Sequence, residues 1–96
     1  MYRERKIGMA KKLNWKIDVE GEEHVISLKY SMLFGKAIIN IDGDEFDIST
    51  SAFKLRGSSQ IFRLGEKQAI LDFPKKGAPD IVIDGICVNS GREYRS

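Results

Sequence analysis

His24 is the only histidine and Cys87 the only cysteine in the chain, so proton and thiolate chemistry near neutral pH has few candidates. General acid–base work at His24 would need a carboxylate or thiol partner, and spacing alone places none beside it. Next to the stretch "EGEE", His24 reads as a surface strand residue. A nucleophilic cysteine needs an electropositive, accessible setting. Between Ile86 and Val88, Cys87 reads instead as a small buried hydrophobe. The third candidate is "DGDEFD", which gathers Asp42, Asp44 and Asp47. A helix–loop–helix calcium site wants glycine at loop position six and a bidentate glutamate at position twelve, where this chain has Asp47 and Phe53. "GSSQ" lacks the lysine and following helix of a phosphate loop. The expectation is therefore a chain with no catalytic residues, no metal, no cofactor and no small-molecule substrate.

The elements that would position any site are strands. From Leu13 the apolar residues alternate: Leu13, Trp15, Ile17 and Val19 fall on one side, and Ile26, Leu28 and Tyr30 do the same. Gly21 in "EGEE" marks the turn between these two runs. No window of more than about ten residues shows the i, i+3, i+4, i+7 spacing of an amphipathic helix. The chain reads as all-β.

Two Ile-Asp-Gly copies, in "NIDGDEF" and "VIDGICV", read as hairpin tips. A two-residue Asp-Gly turn of type I′ needs positive φ at both residues, which aspartate tolerates and glycine adopts without a Cβ clash. Such a turn fixes register. Asp42-Gly43 sets Ile41 against Asp44, Ile39 against Phe46 and Ala37 against Ile48. Asp84-Gly85 sets Ile83 against Ile86, Val82 against Cys87 and Ile81 against Val88. Cys87 then faces away from the Ile81, Ile83, Ile86 and Val88 stripe, which suggests a hairpin covered on both faces.

Further alternation at Phe53 and Leu55, at Phe62 and Leu64, and at Ala69, Leu71 and Phe73 predicts short strands. "RGSSQ" and "LGEK" are the expected hairpin connections, and "PKKGAPD" a longer loop whose prolines cannot donate ladder hydrogen bonds. The count is about eight short strands, spaced as in an antiparallel β-sandwich. Its expected large core members are Trp15, Phe46, Phe53, Phe62 and Phe73. A chain of 96 residues with 42% hydrophobic content fits one domain, drawn as a sandwich over residues 13–96.

Ahead of it, residues 1–12 read as a basic, flexible arm. Residues 1 to 16 hold six basic side chains against Glu4 alone, within a net charge of only +2. Arg3, Arg5, Lys6, Lys11 and Lys12 of the arm are the candidates for electrostatic contact with nucleic acid or an anionic membrane. Tyr2 is the arm's one aromatic, so the interleaved stacking residues of a single-strand binder are missing. Met9 offers an alternative start, which detection of Tyr2 by mass spectrometry would exclude. The N-terminus lacks the apolar centre of a signal peptide and no apolar run nears membrane-spanning length, so export is not expected. One cysteine suits a reducing cytoplasm.

"SMLFGK", residues 31–36, breaks the pattern. Met32, Leu33 and Phe34 put an apolar run where a connection between strands is usually polar. It is either a plug at one end of the sandwich or an exposed contact for another protein or a second copy of the chain. Met32, Leu33 and Phe34 are the candidate partner-binding residues.

Leu13-Asn14-Trp15, Gly21-Glu22, Ile26-Ser27-Leu28, "GKAIINIDG", Phe53-Lys54-Leu55-Arg56-Gly57, "FRLG" at 62–65 and "IVIDG" at 81–85 follow the order seen in the Fas apoptosis inhibitory molecule family. The chain resembles that family over about residues 13–94. The resemblance implies an antiparallel β-sandwich and a non-enzymatic interaction protein. Animal members resemble two such units in tandem, and this chain has room for one. The matching positions are core and turn residues, so the resemblance implies no catalytic or ligand-binding residue.

Overall fold

A computed structural model of the chain describes residues 11–94. The expected all-β class holds: among the described residues there are eight strands and no helix, arranged as two four-stranded antiparallel sheets. The chain divides into two compact units between Leu55 and Arg56, and each carries one sheet.

The first sheet is a meander of β1 (Lys11–Val19), β2 (Glu22–Ser31), β3 (Lys36–Ile41) and β4 (Asp44–Asp47). The basic arm drawn to residue 12 thus gives way to strand at Lys11, which pairs with Tyr30, while Lys12 pairs with Lys29. Trp15, Ile17, Val19, His24, Ile26, Leu28, Tyr30, Ala37 and Ile39 form its buried side. Register explains how burial fades across it. In the row Leu13, Leu28, Ile39, Phe46 the two central residues are buried, Leu13 is half-buried and Phe46 is 51% exposed. Phe46 lies on the apolar side as expected, but β4 is an edge strand with a neighbour on one flank only. That corrects its assignment to the core.

Both Asp-Gly turns have the expected geometry, with φ of 51° and 95° at Asp42 and Gly43 and 54° and 77° at Asp84 and Gly85. The β3–β4 and β7–β8 registers follow as read from the sequence. Glu20 and Gly21 make a third turn of this kind, with φ of 51° and 84°.

No strand forms over residues 53–55. Phe53 has φ of 65°, outside any strand conformation, and Lys54 N–H donates to the Ser51 carbonyl to close a turn. Phe53 is 72% exposed, so it too leaves the expected core, whereas Leu55 is buried. "RGSSQ" is accordingly no hairpin.

In the second unit, β5 (Ser59–Leu64), β6 (Lys67–Asp72), β7 (Asp80–Ile83) and β8 (Ile86–Cys87) form the other meander. "LGEK" is the β5–β6 hairpin, with Leu64 opposite Lys67. Leu64, Ala69, Leu71, Phe73 and Ile81 are buried, while Phe62 is half-buried. The opposite face carries a second apolar row, Ile61, Ile70, Val82 and Cys87, in direct register. Its third member, Val82, is buried at 2% exposure. The C-terminal segment returns to this unit through the Ile86–Glu93 bridge, the Tyr94 N–H to Gly85 carbonyl bond, and the Tyr94 hydroxyl, which donates to Asp72 Oδ1 at 3.1 Å.

Candidate functional site

His24 differs most from its reading as a surface residue. Alternation along β2 puts it on the same side as Ile26 and Leu28, and it is 7% exposed. Its ring is held by the tip of the β3–β4 hairpin: Nδ1 lies 2.6 Å from Asp42 Oδ2. Asp42 is tied to β2 twice more, because Val25 N–H donates to Oδ1 at 2.8 Å and Asp42 N–H donates to the Val25 carbonyl at 2.8 Å. The left-handed backbone of Asp42 thus turns the hairpin and aims the carboxylate back at the neighbouring strand.

The electrostatics agree with this geometry. The hydrogen bond to the Asp42 carboxylate raises the His24 pKa above its ordinary value, against the lowering effect of burial, with the charges of Asp42, Glu22 and Asp18 adding to it. The Asp42 pKa is lowered by the His24 hydrogen bond first and the Val25 N–H second. Glu22 Oε1 is 3.9 Å from His24 Nε2, too far for a hydrogen bond, and Nε2 is buried with no partner. Chemically, the contact orients an imidazole as a general base is oriented. Its remaining nitrogen meets neither a nucleophile nor solvent, so the arrangement acts as a pin in the sheet.

The other acidic residues of "DGDEFD" are divided similarly. Asp47 Oδ1 accepts from Ser49 N–H at 2.9 Å, and hydrogen bonding from Ser49 lowers the Asp47 pKa. Asp44 is exposed. Among the described residues no three His, Cys, Asp or Glu side chains are grouped to hold a metal ion.

Met32, Leu33 and Phe34 occupy the β2–β3 turn. Met32 is half-buried, Leu33 is 38% exposed and Phe34 is 54% exposed. The turn is firmly held: Gly35 N–H donates to the Ser31 carbonyl at 2.9 Å, and Thr50 N–H donates to the Gly35 carbonyl at 2.7 Å. At Gly35 φ is 71°, and a Cβ there would collide with the carbonyl oxygens of Ser51 and Thr50. The segment after β4 thereby braces the turn from behind while Leu33 and Phe34 face outward.

Lys11 and Lys12 are exposed in β1; Arg3, Arg5 and Lys6 lie outside the described residues. Cys87 is a free thiol and half-buried, not buried as its apolar neighbours suggested, because it ends the row at the short edge strand β8. Two exposed aromatics escaped the sequence reading. Phe46 could have been recognised from its place in the last strand before an irregular segment. Phe53 gives no such signal, since its alternation with Leu55 looks like a strand.

The family model for Fas apoptotic inhibitory molecule (FAIM1) matches residues 11–79. That range takes in all of the first sheet with the His24–Asp42 pin, then β5 and β6, and it stops just before β7. "IVIDG" therefore lies beyond it. No curated protein and no solved structure matches the chain. With a match over more than two thirds of its 96 residues, the chain belongs to the Fas apoptotic inhibitory molecule family.

Proposed function

We propose that this chain is a non-enzymatic protein-interaction module of the cytoplasm, using the β2–β3 turn as its contact. The observation that carries this reading is the exposure of Leu33 and Phe34 on a turn tied by backbone hydrogen bonds to residues 31 and 50. Apolar side chains on a fixed backbone lose little conformational entropy on docking, which favours a contact over an incidental loop. The partner is another protein or a second copy of the chain.

A second reading has its own observation. Lys12 and Lys29 stand directly opposite on the exposed side of the first sheet, and Lys16 is exposed on the same side four residues along β1. Like charges in register are unfavourable unless an anion relieves them. This supports the alternative of an electrostatic adaptor for nucleic acid or an anionic membrane, with the N-terminal basic residues contributing.

Affinity capture from lysate separates the two. The whole chain, a Leu33→Asp/Phe34→Asp variant and a Lys12→Glu/Lys29→Glu variant are compared at low and high salt, with protein and nucleic acid both analysed. A protein held through the high-salt wash, and lost only with Leu33→Asp/Phe34→Asp, supports the turn. Material lost with salt and with Lys12→Glu/Lys29→Glu supports the electrostatic adaptor. Loss of the near-UV signal of Leu33→Asp would show that Leu33 is a plug.

A further inference from the structure

The four sheet edges are unequally protected. Edge strands expose unpaired backbone groups, and natural sheets blunt them with charge, brevity or a covering segment. β1 shows Lys11, Lys12 and Lys16; β4 shows Asp44, Glu45 and Asp47. β8 is two residues long and is bridged to Glu93. β5, "SQIFRL", is six residues long, contains no proline, and has Arg63 as its one charge. Ile61 at its middle is 64% exposed.

We infer that β5 is a self-association edge whose occupant is β5 of a second copy, paired antiparallel about a twofold axis through Ile61. That register sets Ile61 against Ile61 of the second copy, Gln60 against its Phe62, and Ser59 against its Arg63. Even spacing keeps equivalent faces on one side. The apolar row Cys87, Val82, Ile70, Ile61 then continues directly into its symmetry-related row.

Charge complementarity selects this partner. On the same face Asp72 and Asp80 are directly opposite each other, a like-charge pair, and Ser59 is opposite Asp72. Arg63 of the second copy would stand beside the small Ser59, about 10 Å in backbone terms from Asp72, given a strand spacing of about 4.8 Å. An extended arginine spans that gap to Asp72, the nearer member of the acidic pair. The symmetric arrangement makes each such contact twice. This surface is independent of the Leu33–Phe34 turn.

Sedimentation of the whole chain from about 10 μM to about 1 mM tests the inference, an edge pairing being at the small and weak end of interfaces. The expected result is a monomer–dimer equilibrium. Ile61→Lys should weaken it by about a hundredfold and Arg63→Glu by about tenfold, since each change acts twice across the axis. Leu33→Asp should leave it unchanged. Far-UV and near-UV circular dichroism verify that each variant is folded, and Arg63→Glu keeps the test decisive if Ile61→Lys is not. A monomer at every concentration, a dimer indifferent to both β5 changes, open-ended oligomers, or a dimer abolished by Leu33→Asp would each overturn the inference.

Discussion

Asp42 Oδ2 lies 2.6 Å from His24 Nδ1, so the tip of the β3–β4 hairpin is locked to β2 of the same sheet. Two further bonds between Asp42 and Val25 make the lock three-pointed. A turn residue chosen for its positive φ therefore also supplies the anion that a buried imidazole needs.

The lock makes stability pH-dependent. The folded-state pKa of His24 is raised, so its contribution is fully present below the ordinary value of 6.5 and is lost as pH rises through the raised value. The Asp42 pKa is lowered, so its contribution is present above the ordinary value of 3.8 and is lost as pH falls through the lowered value. Stability from the pair should peak between those two ordinary values and decline on the alkaline side of 6.5. Urea unfolding across this range should show that decline, and Asp42→Asn should flatten it. An unchanged pH profile in Asp42→Asn would refute the lock.

Hydrogen exchange gives a local check of the same relationship. The Val25 amide, which donates to Asp42 Oδ1, should lose protection in Asp42→Ala well before the amides of Ile26 or Leu28 do. Equal loss along the whole of β2 would mean that the contact supports global stability only.

Gly35→Ala should be among the most damaging single-methyl changes in the chain. The left-handed backbone alone costs about 1–2 kcal/mol for an alanine, and the collision with the Ser51 and Thr50 carbonyls adds to it. The urea midpoint should fall accordingly, with Gly21→Ala, where no atom lies within 4 Å of the new Cβ, falling less.

Phe53 sets up the opposite experiment. It is an exposed aromatic held at φ of 65°, a conformation costing a non-glycine residue about 1–3 kcal/mol. Phe53→Gly should raise stability or leave it unchanged in urea titrations. If the same variant loses a partner captured by the whole chain, the strain is retained for binding.

Tyr94→Phe should loosen the C-terminal segment. It removes the bond to Asp72, worth about 1.5–3 kcal/mol with a charged acceptor, and leaves a half-buried carboxylate without that donor. Cys87, whose N–H donates to the Arg92 carbonyl of that segment at 2.8 Å, should then react faster with a thiol reagent. An unchanged thiol rate with lowered stability would show that the segment does not shield it.

The all-β class and the Asp42-Gly43 and Asp84-Gly85 turns, with the registers those two turns set, were legible in the sequence. These are local properties: period-two alternation chooses a strand face, and a two-residue turn with positive φ admits one pairing. What it could not determine was which strands lie at edges. Phe46 and Ile39 share a face and a ladder position, yet one is exposed and the other buried, because only β3 has neighbours on both flanks. Nor could spacing join His24 to Asp42, eighteen residues away, since that contact exists only once the β3–β4 tip folds back beside β2. Alternation is written along the chain, whereas burial and hydrogen-bond partnership depend on what the chain places alongside it, and that is decided by tertiary structure.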